Sequence, residues 1–278
     1  EVTLLSRDGQ SSKVLLVEND PAWINSLEPP RFLKDGSFLW VSERSGFFHL
    51  YRYAANGTLK NAVTSGKWMV DPGEPWEVDE ATGTVLFAAT EKDPRERHLY
   101  RVKLDGTGFK RLSVEPGTHS IKVAPGGAAY LDTYSSLTTP PKTALVKSDG
   151  TRVALVDERK NLLEGSIVAP VEMGSFTGSD GTLFYYRLVK PPDFDPAKKY
   201  PVIVHVYGGP HAQMVVDKWG ASSALDQVLA AKGFLVFAMD NRGSWGRGHA
   251  FETPLLKRMG EVELKDQLEG VAHLQKMP

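Results

Sequence analysis

Tight-turn pairs recur through the first half of this 278-residue chain at a nearly constant interval. Asp8-Gly9, Asn56-Gly57, Asp105-Gly106 and Asp149-Gly150 are spaced 48, 49 and 44 residues apart. A second set, Asp35-Gly36, Thr82-Gly83 and Gly126-Gly127, follows at intervals of 47 and 44. Asn-Gly and Asp-Gly favour the turns that join antiparallel strands, because both central residues tolerate positive φ. The flanking runs repeat as well. Ser37–Val41, Thr84–Ala88 and Ala128–Leu131 follow one set of turns, while His49–Tyr53, His98–Val102 and Thr143–Val146 precede the other. A period of about 40 to 50 residues with four strands is the signature of a propeller blade. Residues 1–160 are therefore expected to form a partial β-propeller, of about three blades plus part of an earlier one at residues 1–18. A β-sandwich with coincidental spacing is the alternative, and two turn sets in phase argue against it. Open propeller edges invite aggregation, so the blades are expected to belong to a longer array. His49 and His98 share one repeat position, which predicts a structural role and not metal ligation. Glu43, Arg44, Arg95, Glu96 and Arg97 fall in inter-strand loops, where such charges are usually solvated.

The second half reads differently. The polar stretch Asp157–Asn161 marks a joint. Residues 161–278 are expected to be the amino-terminal part of an α/β domain. Glu172–Thr177 and Thr182–Val189 around Ser179-Asp180-Gly181 predict a hairpin in which Phe184, Tyr186 and Leu188 alternate with Tyr185 and Arg187. Tyr200–Val206 is a β-branched run that ends in Tyr207-Gly208-Gly209-Pro210. It predicts a strand buried on both faces, turned sharply at its carboxyl end. That end is where ligands sit in open α/β sheets. Residues 222–232 predict a helix with Leu225, Val228 and Leu229 on its apolar face and Gly233 as a stop. Phe234–Ala238 predicts another buried strand, and Asp240–Gly248 a glycine-rich loop without the order of residues that cradles phosphate. Residues 261–277 predict a helix with Leu264, Leu268 and Val271 as its stripe.

Composition narrows the function classes. Thirty-three basic against 34 acidic residues argue against a general nucleic-acid binder. There is no cysteine, hence no disulfide framework, thiolate metal site or cysteine nucleophile. No apolar run is long enough for a membrane span. Neither a Gly-x-Ser-x-Gly elbow nor a His-Glu-x-x-His metal motif is present, so the reading calls for no cofactor and no metal, and a complete Ser-His-Asp triad is not carried by these residues. Tyr207 is the one candidate catalytic group. A phenol at a strand end opened by two glycines can donate to a developing oxyanion, whereas the plain alternative is a tyrosine packed at the strand end.

Several segments together resemble the prolyl oligopeptidase family of serine peptidases, and its dipeptidyl peptidase IV branch in bacterial form. They are Ser42–Tyr51, Thr64–Val70, Pro191–Pro201, Val206–Pro210, Asp240–Ser244 and Gly260–Gln267. The resemblance covers nearly the whole chain in order. It implies an all-β propeller, here its carboxyl-terminal blades, followed by the start of an α/β-hydrolase domain that stops short of the nucleophile. Tyr207 matches the family's oxyanion-hole tyrosine. Asp240 and Arg242 match a recurring loop near the site, with a structural role. The implied activity of the full-length parent is release of amino-terminal Xaa-Pro or Xaa-Ala dipeptides through an acyl-enzyme. The alternatives are an acylaminoacyl or prolyl tripeptidyl peptidase, or a non-catalytic propeller scaffold. The nucleophile, the triad Asp and His, and the glutamates that hold the substrate amino terminus are not in the chain, so this segment alone is expected to be inactive. A peptide substrate, a homodimer and a periplasmic or secreted location are implied by the resemblance only.

Overall fold

The computed structural model describes residues 2–5, 10–25, 29–74, 76–124, 127–161, 164–165 and 168–277. Strands β1 (Val2–Leu5) and β2 (Ser12–Leu16) pair antiparallel. Three four-stranded antiparallel sheets follow in chain order among the described residues. The first holds β3 (Arg31–Phe32), β4 (Phe38–Ser42), β5 (His49–Tyr53) and β6 (Leu59–Ala62). The second holds β7 (Glu77–Asp79), β8 (Thr84–Ala89), β9 (His98–Lys103) and β10 (Lys110–Arg111). The third holds β11 (Thr118–Val123), β12 (Ala129–Ser135), β13 (Lys142–Lys147) and β14 (Arg152–Glu158). Each sheet is a meander, as propeller blades are.

The repeat in the sequence is a repeat in chemistry. The turn glycines Gly36, Gly83 and Gly127, and Gly57, Gly106 and Gly150, all take positive φ. Asp8-Gly9 and Gly126 lie outside the described residues. Gly57 shows why the residue type is fixed, since a Cβ there would lie 2.2 Å from the carbonyl oxygen of Leu15 on β2. His49 Nδ1 lies 3.0 Å from Thr64 Oγ1, and the Leu50 amide donates to the same hydroxyl at 2.9 Å. His98, Ser113 and Leu99 repeat that arrangement one blade later, at 2.8 and 3.0 Å. Both rings are buried, and burial pushes both imidazoles below their ordinary pKa. The central strands β4, β5, β8 and β9 are buried nearly throughout, and Leu39, Leu50, Val85, Phe87 and Tyr100 form a core shared by the first two blades. Each such side chain stabilises the fold by about 1.5–3 kcal/mol.

The last sheet is mixed. β15 (Val171–Thr177) and β16 (Leu183–Val189) form the expected hairpin; β17 (Val202–Val204) and β18 (Leu235–Met239) lie parallel, and the sheet order is β15-β16-β18-β17. Helices α1 (Ala224–Ala231), α2 (His249–Glu252) and α3 (Val262–Leu274) complete it. The fold class read from the sequence, a propeller followed by the start of an α/β domain, is what the structure has.

Three local expectations are corrected. Among the described residues β17 is an edge strand, and Val202 and Ile203 are exposed and not doubly buried. Both long helices match the expected faces only in part: Leu229 packs against the core beside Ala230 and Val236 as expected. Leu225, Val228, Leu264 and Leu268 are exposed, while Asp226 and Ala230 of α1 and Asp266, Gln267 and Gly270 of α3 are buried. Polar pairing sets these orientations. Asp226 meets Arg187 of β16 at 3.1 Å, Asp266 meets Arg242, and Gly270 lets α3 close onto Phe237 and Met239 of β18. For the same reason Arg187, which alternates with Tyr186 and Leu188 along β16, is 2% exposed.

Candidate functional site

Two loops leave the carboxyl ends of the parallel pair β17 and β18, and hydrogen bonds strap them together. The first runs from Val206 to Val216. Its entry is held by the His205 amide, which donates to the Phe237 carbonyl at 2.7 Å. Gly208 then takes φ +81, a turn that a residue with a Cβ resists. Asn241 Nδ2 donates to the Gly208 carbonyl at 3.2 Å, the His211 amide to the Gly243 carbonyl at 3.2 Å, and the Trp245 amide to the Ala212 carbonyl at 3.1 Å. The loop is thus fixed at three points while Tyr207, at its start, is 59% exposed.

Asp240 and Arg242 lie on the second loop, just after β18. Asp240 is buried and accepts the Met214 amide at 2.7 Å and the Val215 amide at 3.3 Å. Burial pushes its carboxyl up to about 7, against those amides and the charges of Arg247 and Arg187. Arg242 turns the other way. Its guanidinium meets Asp266 of α3 at 2.5 Å and Asp180 of the hairpin turn at 3.0 Å. The Asp266 hydrogen bond holds it above the usual arginine range despite desolvation. The structure therefore brings Tyr207 and Asp240 into one loop pair and places Arg242 as the link from that pair to α3.

The propeller closes on the same loops. Arg97 and Glu43, expected among solvated loop charges, are not solvated. Arg97 is 7% exposed and donates to Asp71 at 2.5 Å, to the carbonyls of Pro94 and Glu96, and to Gln213 Oε1 at 2.7 Å. Gln213 Nε2 returns a bond to the Pro94 carbonyl at 2.8 Å. Tyr185 of β16 lies between the guanidinium groups of Arg95, at 4.6 Å, and Arg247, at 4.9 Å. A cleft of about 380 Å³ at this junction is lined by Asp71, Glu74, Arg97, Gln213 and Lys218 among others. The sequence held no local signal for Arg97 with Gln213, since their partnership spans 116 residues.

Antiparallel four-stranded blades followed by a mixed sheet with helices define a propeller joined to an α/β domain, with the exposed Tyr207 on the loop after β17. The description "Dipeptidyl peptidase IV (DPP IV) N-terminal region" matches residues 1–141, and "Prolyl oligopeptidase family" matches residues 220–278. The chain belongs to that family, with the dipeptidyl peptidase IV type of propeller. It is 29% identical to human dipeptidyl peptidase 8, over 96% of this chain and 34% of the relative. It is also 29% identical to the probable dipeptidyl-aminopeptidase B of Emericella nidulans, over 96% of this chain and 32% of the relative. The crystal structure of Porphyromonas gingivalis dipeptidyl peptidase 4 superposes with a TM-score of 0.89 at 28% identity, over 99% of this chain and 39% of that one. A putative dipeptidyl aminopeptidase IV from Bacteroides ovatus gives 0.84 at 31% identity, over 93% and 40%. The chain spans about a third of the length of these curated relatives.

Proposed function

We propose that this chain is the propeller–hydrolase junction of a serine exopeptidase that releases Xaa-Pro or Xaa-Ala dipeptides from peptide amino termini, and that Tyr207 donates to the oxyanion. Family membership and the relatives named as dipeptidyl peptidases support the substrate class. The observation that carries the reading is the Tyr207 phenol, exposed on a loop whose backbone is fixed at three points. Preorganisation is what an oxyanion donor needs, because a donor already in place spends no energy reorienting as charge develops. In the reaction a serine supplied by the parent protein attacks the scissile carbonyl. Its proton passes to a base and then to the leaving amine, and water later releases the acyl group. Tyr207 acts while the carbonyl oxygen carries the negative charge. Export and homodimer formation belong to the same proposal, on the family resemblance.

The test uses the full-length parent. Tyr207→Phe should lower kcat on the order of 10²- to 10³-fold with KM little changed, and acetylated Xaa-Pro reporter peptides should not be cleaved by the wild type. Unchanged kcat in Tyr207→Phe would assign the oxyanion to other donors. Equal cleavage of acetylated peptides would move the activity to an acylaminoacyl peptidase or an endopeptidase.

A further inference from the structure

Side chains from remote segments converge where the first blade touches α2. Glu43 follows β4, and His249 and Glu252 are the first and last residues of α2. Their ligand atoms all lie within 4.8 Å of one another. One amide nitrogen, Asn25 Nδ2, donates to both carboxylates, at 2.8 Å to Glu43 Oε2 and 3.0 Å to Glu252 Oε2. Two carboxylates are therefore pressed together in a largely buried site, since the side chain of Glu252 is 3% and that of Glu43 13% exposed. A single amide does not neutralise such a pair. The groups that face the pair with a possible positive charge are the imidazoles of His211 and His249, while Arg44 is engaged with Glu18 and Arg247 lies over Tyr185 and Phe251.

The geometry shows what kind of cation. His249 Nδ1 stands 3.4 Å from Glu43 Oε2 without a well-formed hydrogen bond. That is long for a hydrogen bond but close to the edge of a tetrahedron with metal–ligand bonds of about 2.0–2.1 Å, which is about 3.3 Å. Asp20 Oδ1 lies 3.1 Å from the other ring nitrogen, Nε2, likewise without a well-formed hydrogen bond. A carboxylate behind the distal nitrogen is how metal-ligating histidines are usually oriented. Glu252 Oε1 is buried and has no hydrogen bond of good geometry. His211 Nδ1 approaches it at 2.5 Å, off the hydrogen-bonding direction, from a half-exposed position on the open side. Trp23 packs edge-on against both imidazoles, with ring centroids 6.3 Å from His211 and 6.0 Å from His249, and walls the site on that side.

We propose that Glu43, His249 and Glu252 bind a divalent zinc ion at the junction between propeller and α/β domain, with Asp20 orienting His249 and the fourth position facing His211. One imidazole and two carboxylates are a donor set that suits zinc, and it contains no soft sulfur ligand. The ion replaces the charge balance that Asn25 alone does not provide. It also cross-links the first blade to the loop pair, because His211 lies four residues beyond Tyr207. Zinc here acts on the position of the loops and takes no part in bond breaking.

The experiment strips the purified full-length protein with a chelator, dialyses it against zinc, and reads metal content by mass spectrometry and affinity by calorimetry. One zinc per chain is expected, with an X-ray absorption shell of nitrogen and oxygen only. Glu43→Gln, His249→Gln and Glu252→Gln should each weaken binding by about tenfold or more. Wild-type protein without stoichiometric zinc overturns the proposal, and so does equal zinc retention in all three variants. Should a variant not fold, the wild type decides alone: its melting temperature must rise with zinc, and an unchanged melting temperature overturns the site.

Discussion

Arg97 Nη2, buried in the second blade, donates to Gln213 Oε1 at 2.7 Å on the loop that follows Tyr207. The same guanidinium neutralises Asp71 and caps the carbonyls of Pro94 and Glu96. One side chain therefore satisfies groups on both sides of the junction.

Arg97→Ala should destabilise the protein by about 1–3 kcal/mol, because it leaves the Asp71 carboxylate and two carbonyls without their donor at the edge of the junction cleft. Arg97→Lys should recover less than half of that, since a single ammonium cannot reproduce the planar fork. Urea unfolding at neutral pH measures both. A loss under 1 kcal/mol in Arg97→Ala would mean that water enters the junction freely.

Gly248 governs the contact on the other side. It takes φ +83 and ψ 167, a region essentially confined to glycine. A Cβ there would lie 2.7 Å from the Gly46 carbonyl and 2.6 Å from the Phe47 ring. The neighbouring His249 amide donates to that same Gly46 carbonyl at 2.8 Å. Gly248→Ala should therefore cost about 2–4 kcal/mol, from backbone strain of about 1–3 kcal/mol plus the displaced contact. Differential scanning calorimetry should show the lower stability, and limited proteolysis should cut between Trp245 and Phe251 sooner than in the wild type.

How much of this was legible in the sequence follows from the range of the interactions. The blades were readable because a turn pair and the strand beside it are local, and Gly57 or Gly106 needs positive φ whatever lies around it. The hairpin around Gly181 was readable for the same reason. The helix faces were not. Leu225 and Leu264 look like core by periodicity, but the partners that orient α1 and α3 are Arg187 and Arg242, 39 and 24 residues distant from Asp226 and Asp266 in sequence. Periodicity also cannot tell an edge strand from a central one, which is why Val202 and Ile203 read as buried. The junction lay furthest out of reach: Asn25 and Glu252 meet across 227 residues, and no spacing rule connects them.

Asp240 should give the protein a characteristic pH dependence. Its folded carboxyl is raised from 3.8 to about 7 by burial. Between about pH 4 and 7 the folded state holds a proton that the unfolded chain has lost, so this residue's contribution to stability falls as pH rises through that window. Above it the buried carboxylate carries a penalty on the order of 4 kcal/mol relative to its protonated form. Asp240→Asn keeps an acceptor for the Met214 and Val215 amides and cannot ionise. The difference in stability between wild type and Asp240→Asn, followed by denaturant unfolding from pH 4 to 8, should shift steadily in favour of the variant. A difference that does not vary with pH would place the carboxyl's titration outside this range.

The Arg187–Asp226 pair yields the sharpest contrast between single and double substitution. Both side chains are buried, at 2% and 1% exposure, and they meet at 3.1 Å. The guanidinium leaves Nε and Nη1 without hydrogen-bond partners, so desolvation is incompletely offset and its pKa falls. Asp226 is better supplied: it accepts the Ser223 amide at 2.9 Å in a capping box and lies 3.0 Å from His205 Nδ1. Removing the cation alone, as Arg187→Met, should cost about 3–5 kcal/mol because a buried carboxylate loses its counter-charge. Arg187→Met combined with Asp226→Asn should recover most of that loss. Asparagine keeps an oxygen acceptor at the helix terminus, and methionine fills the space with no polar atom left unpaired. A double-mutant cycle by urea unfolding measures the coupling. Additive losses would show that the two charges are screened from each other, and that α1 is held on β16 by packing alone.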